Sequence, residues 1–184
     1  MHRKPTDSVM SNVQAPKSGH RRLVLASVLL CCAANSWAVV AGQVAPDVDL
    51  PSSTVAAKLS ELKGKFVYVD FWASWCGPCK LSYPWMAAMQ RQYAARGLQV
   101  LAINVDAKRA DADKFLASHA AANLPTLGLA FDARGESAKQ FGLKVMPTSY
   151  LVGRDGKVIF VHTGFRLEDR AELEAKLAAA LAAP

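Results

Sequence analysis

Cysteine is scarce in this chain: there are four in 184 residues, and two of them, Cys31 and Cys32, sit in an apolar stretch near the N-terminus. Cys76 and Cys79 are the thiols of everything downstream. A zinc site would need two more donors, and His119 and His162 stand isolated, so a structural metal is a poor reading. Haem attachment through CxxCH is excluded because residue 80 is lysine. Beyond residue 38 there is no basic run and no interleaving of basic with aromatic residues, which removes nucleic acid as an expected partner. No internal repeat occurs, and 184 residues leave room for one domain plus an extension.

What is present divides the chain unevenly. Residues 1–22 are polar and end on His20, Arg21 and Arg22, and Leu23 to Ala34 (LVLASVLLCCAA) carries no charge. Ser36 and Ala38 are the small residues of a cleavage site after Ala38. This is the order of a secretory signal peptide, so residues 1–38 are expected to be a leader and 39–184 a single domain. The Arg21-Arg22 pair admits the twin-arginine route beside the general secretory one. Left uncleaved, residues 23–41 are just long enough to span a bilayer, with the basic flank holding the N-terminus in the cytoplasm. Either version exports the domain. A lipidated cysteine at 31 or 32 is disfavoured, because Leu30 and Cys31 precede them where a small residue is expected. The formal charge of +7 belongs mostly to the leader; without residues 1–38 the chain holds 17 basic and 14 acidic residues, a net of +3.

Residues 39–54, with Pro46, Pro51 and Ser52-Ser53, read as a linker leading into an edge segment around Asp47 to Leu50. Lys65 to Trp72 is a continuous apolar β-run, the pattern of a strand covered on both faces. From Pro78 to Arg96 the spacing turns helical, with Leu81, Trp85, Met89 and Tyr93 on one side, a kink expected at Pro84 and a stop at Gly97. A strand over Gln99 to Val105, a helix over Ala110 to Ala120 and a strand over Thr126 to Phe131 follow. Then come a short helix at Ser137 to Phe141 and two strands, Thr148 to Val152 and Lys157 to Thr163, joined by a Gly153-Arg154-Asp155-Gly156 hairpin. Leu167 to Ala182 is a closing amphipathic helix. The order βαβαβαββα predicts an α/β layered fold with a mixed sheet.

Cys76-Gly77-Pro78-Cys79 falls where a strand gives way to a helix. There the unpaired N–H groups of the first turn and the helix dipole favour a thiolate, so Cys76 is expected to be the nucleophile and Cys79, one turn deeper, the resolving thiol. A bridge closing so short a loop constrains the unfolded chain little, so a working disulfide is a better reading than a stabilising one. Pro78 suits the first turn, where its missing N–H is no loss. Asp70 lies inside FVYVDFWA, where a charge is costly unless a function or partner retains it. It is expected beneath the CxxC, with a raised pKa, accepting the proton of Cys79 when a mixed disulfide resolves. Trp75, beside the nucleophile, is a candidate for contacting partner proteins.

Asp70-Phe71-Trp72-Ala73, followed by Trp75 to Lys80 and by Pro84, resembles the active-site segment of thioredoxins. The resemblance extends over roughly residues 46–182 and implies a thioredoxin-like fold: a central mixed sheet flanked by helices, with an added N-terminal segment and a central αβ insertion. It also implies that Pro147 is a cis-proline facing the disulfide. Met146, Trp75, Gly77 and Pro78 would then contact substrate. The segment Asn123 to Phe141 resembles the insertion of the TlpA-like branch of exported oxidoreductases, and Ala45-Pro46-Asp47 with Leu59 to Gly64 matches that branch's entry. Two departures stand out: Ala102 occupies the place where thioredoxins carry a lysine near the buried aspartate, and TlpA-like proteins commonly lack that aspartate.

The expectation is therefore a periplasmic thiol:disulfide oxidoreductase with no cofactor, reducing protein disulfides such as those of apocytochrome c or a copper site. Its electrons would come from a membrane thiol carrier of the DsbD or CcdA type. A disulfide oxidant or isomerase is the nearest rival. A Cu(I) chaperone using Cys76, Cys79 and Met146 is the alternative from another class. A peroxidase is disfavoured by the absence of the PxxxTxxC signature of peroxiredoxins around Cys76.

Overall fold

The computed structural model describes residues 38–119 and 127–183. All but Ala38 of the leader expected over residues 1–38, and most of its anchor version over 23–41, fall outside them. No helix among the described residues is long and apolar enough to cross a membrane.

The elements alternate as β1 (Phe66–Trp72), α1 (Gly77–Tyr93), β2 (Leu98–Asn104), α2 (Arg109–His119), β3 (Gly128–Phe131), α3 (Glu136–Gln140), β4 (Thr148–Val152), β5 (Val158–Thr163) and α4 (Arg170–Ala182). The sheet runs β3-β2-β1-β4-β5. β1, β2 and β3 are mutually parallel, while β4 is antiparallel to both β1 and β5. This is the thioredoxin-like mixed sheet expected, with β3 and α3 as the inserted elements.

All seven residues of β1 are buried, which explains why every position but Asp70 is apolar or aromatic. Alternation along the strand feeds two cores. Phe66, Tyr68 and Trp72 join Leu98, Val100 and Ala102 under α1, α2 and α4. Val67, Val69 and Phe71 join Leu101 and Ile103 under the N-terminal segment and α3. Helix α3 is short, and the buried Asp132 lies just ahead of it, its carboxylate accepting from the N–H groups of Glu136 and Ser137. That is the service an N-cap side chain gives a helix start.

Residues 39–54 are not a linker. Val48 and Leu50 are buried in the second core, and the backbone around them completes both sheet edges. Gly42 donates to Val158 O and Val158 to Gln43 O along β5. Thr54 donates to Leu129 O and Phe131 to Pro51 O along β3. The prolines and serines that look like a linker tolerate this role, because the bonds come from the backbone.

Leu81 also departs from expectation, being 42% exposed while Trp85, Met89 and Tyr93 are buried. Steps of four residues advance a helix by about 40° beyond a full turn, so a row of such steps drifts off one face. α1 continues through Pro84 to Tyr93 and ends in a tight turn at Ala94–Arg96, and Gly97 supplies the left-handed stop at φ 89°. The expected strand start at Thr126 and helix end at Ala120 lie outside the described residues.

Candidate active site

Cys76 caps α1, the first position is Gly77, and Pro78 follows in the first turn. The first turn contains no acidic residue, so nothing of opposite sign there offsets the positive end of the helix dipole at Cys76. Cys76 and Cys79 are joined by a disulfide with Cα atoms 5.3 Å apart. Both are buried within the first core, and Trp75 beside them is 68% exposed.

The loop that delivers Cys76 is clamped from β2. Just beyond that strand the buried Asp106 accepts from Ser74 N–H at 2.9 Å, from Ser74 Oγ at 3.0 Å and from Asn104 Nδ2 at 2.8 Å. Asp106 N–H donates in turn to Asn104 Oδ1. A second tie, from Cys76 N–H to Ala73 O, closes the turn. Nothing in the sequence marks this clamp, because Ser74, Asn104 and Asp106 look like ordinary strand-end polar residues.

Asp70 is 1% exposed. It shares a face of β1 with Tyr68 and Trp72 and so points into the core layer that contains Cys79. Burial pushes its carboxyl up to about 7, partly offset by a hydrogen bond that Ser149 Oγ donates to Oδ2 at 2.8 Å. The other oxygen, Oδ1, is buried and has no hydrogen-bond partner. Ala102 is the neighbour of Asp70 on β2 and Ser149 its neighbour on β4. Ser149 was not singled out in the sequence, and the strand register is what reveals it.

The Met146–Pro147 peptide bond is cis. Thr148 Oγ1 donates to Val145 O and Gly164 N–H to Pro147 O, which fixes the loop before β4. An open groove of about 540 Å³ brings Trp75, Cys76, Gly77 and Pro78 together with Leu143, Lys144, Val145 and Met146. A Cβ at Gly77 would meet no atom within 4 Å, so the groove is open above the first turn. Pro147 is buried and does not line the groove. A more enclosed cavity of about 130 Å³, lined by Val44, Leu59, Leu62, Val67 and Val152, lies on the other core and touches none of these residues. Among the described residues no group of three or more His, Cys, Asp or Glu is arranged to hold a metal ion.

The chain is similar to a crystal structure from Chlorobium tepidum assigned as a thiol:disulfide interchange protein DsbE. The two share 49% sequence identity and a TM-score of 0.71 over 78% of this chain and 99% of that one. The thiol-disulfide oxidoreductase ResA of Oceanobacillus iheyensis is 31% identical over 138 residues, covering 71% of this chain and 69% of that protein. ResA of Bacillus subtilis is 32% identical over 111 residues, and the chain spans 60% of that relative's length. The Redoxin family model matches residues 40–177, which contain the whole sheet, the clamped loop and the disulfide. On that match and on its fold, the chain belongs to the Redoxin family of the thioredoxin superfamily.

Proposed function

We propose that the chain is an extracytoplasmic thiol:disulfide oxidoreductase that reduces protein disulfides through the Cys76/Cys79 couple. The observation that carries this reading is the disulfide at the first turn of α1, opening beside the exposed Trp75 onto the groove shared with Met146. In the reduced protein, Cys76 thiolate attacks a substrate disulfide, forming a mixed disulfide and releasing one substrate thiolate. Asp70 takes the Cys79 proton, Cys79 attacks the Cys76 sulfur, and the second substrate thiolate leaves. Two electrons have then passed to the substrate, and the protein holds the Cys76–Cys79 disulfide. Trp75, Gly77, Pro78 and Met146 contact the substrate chain, and Pro147 shapes the loop facing the sulfurs.

A dithiol donor must reduce the protein for the next cycle, and a membrane thiol carrier of the DsbD or CcdA type has that chemistry. The named activity of the ResA and DsbE relatives supports the class of reaction. Exported cytochrome c precursors and copper-site proteins, which need reduced cysteines, are the substrates proposed. The periplasm is the compartment, reached through the leader at 1–38 or held at the membrane through 23–41.

The first experiment is to equilibrate the protein in glutathione and dithiothreitol buffers and measure the potential of the couple. A value near about −270 mV, that of thioredoxin, supports the reductant. A value near about −120 mV overturns it in favour of a disulfide donor.

A further inference from the structure

We propose that Ser149 is a positioning residue for thiol–disulfide exchange: its hydroxyl engages one oxygen of the Asp70 carboxylate, leaving the other bare in the layer that contains Cys79. The inference rests on the reading of Asp70 as acceptor of the Cys79 proton.

The geometry assigns each oxygen a different task. Ser149 and Asp70 face one another across β1 and β4, both almost wholly buried, with Ser149 Oγ donating to Oδ2 at 2.8 Å. Oδ1 has no partner. With Oδ2 occupied as an acceptor, a proton arriving on Asp70 goes to Oδ1. In the resolving step the Cys79 S–H bond breaks and an O–H bond forms at Oδ1. The Cys79 sulfur then forms its bond to Cys76 as the substrate sulfur departs with the electron pair of the broken disulfide.

The surroundings leave this task to the serine. Across β2 the neighbour is Ala102, which brings neither charge nor donor. Tyr68 lies two residues before Asp70 on the same face of β1; burial and the Asp70 charge hold its hydroxyl protonated, against an opposing hydrogen bond with Ser149. α1 contributes Cys79 and Tyr83 to the layer, α2 contributes Ala112 and Phe115, and α4 contributes Leu173, Leu177 and Leu181. His162 lies opposite Ser149 on β5, with Nε2 3.7 Å from Asp169 Oδ2, and is the nearest ionisable group along that row. Burial lowers the pKa of His162. A donor to the ionised carboxylate favours ionisation, so the serine works against the burial that keeps Asp70 protonated.

The test measures the Asp70 carboxyl titration by carbon-13 NMR in the oxidised full-length chain, together with the pH profile of disulfide reduction. The variants are Ser149→Ala and the near-isosteric pair Ser149→Thr and Ser149→Val, so that hydroxyl loss is separated from a change of shape or a failure to fold. Loss of the hydroxyl in Ala or Val is expected to raise the Asp70 titration by about one pH unit. The acid limb of turnover should move up with it, and Thr should keep both near wild type. An unmoved titration, or a moved titration with an unmoved limb, overturns the role of Ser149. Asp70→Asn separates the two readings: if it too leaves the limb in place, the assignment of Asp70 as acceptor falls and this inference falls with it.

Discussion

A carboxylic acid in the middle of FVYVDFW makes the fold sensitive to pH. In the unfolded chain Asp70 titrates near 3.8, whereas burial in the fold holds it at about 7. Between these values the folded protein keeps a proton that the unfolded chain has lost. The stability contributed by this group is therefore full below its unfolded pKa and is lost as pH rises through its folded one. The whole loss is at most about 4 kcal/mol. Asp70→Asn is expected to flatten the stability profile between pH 4 and 8 and to exceed wild type at pH 8 in urea denaturation of the oxidised protein. A parallel profile in wild type and variant would contradict this. Asp70 was legible in the sequence because a charge inside an apolar run has few innocent explanations. Ser149 was not, because a serine in TSYLV acquires meaning only through its opposite number across the register.

The elements themselves were readable to within a residue or two at most boundaries, since each has its own periodicity and stop. α1 ends where Gly97 supplies a left-handed turn, and β4 begins directly after Pro147. Packing partners are harder to read, as the drift of Leu81 to the surface shows. The connection between β1 and α1 is harder still, because it depends on three polar groups meeting from two strand ends. Asp106→Ala would leave Ser74 N–H, Ser74 Oγ and Asn104 Nδ2 without their acceptor. The expected cost is about 3 kcal/mol in chemical denaturation, well above that of removing an exposed ion pair such as Arg109–Asp113. Equal effects of the two changes would show that the clamp is dispensable.

For the whole molecule, the controlling feature is the segment that borders both edges of the sheet. Its Pro46 and Pro51, with Ser52-Ser53, conceal it in the sequence, since backbone donors leave no side-chain signature. Removal of residues 39–56 would strip Gly42 and Gln43 from β5 and Pro51 and Thr54 from β3. Bare edges pair with other chains, so this variant is expected to associate with rising concentration in light scattering, where the longer chain stays dispersed. Dispersed behaviour of both would mean that the edges protect themselves. The same segment also sets an order of assembly. Val44 bridges to Lys157, so the first-made part of the domain waits for nearly the last, and Asp70 waits for a hydroxyl synthesised 79 residues after it. Until β4 has been made and has paired with β1, the Asp70 side of this redox centre has no strand to close over it.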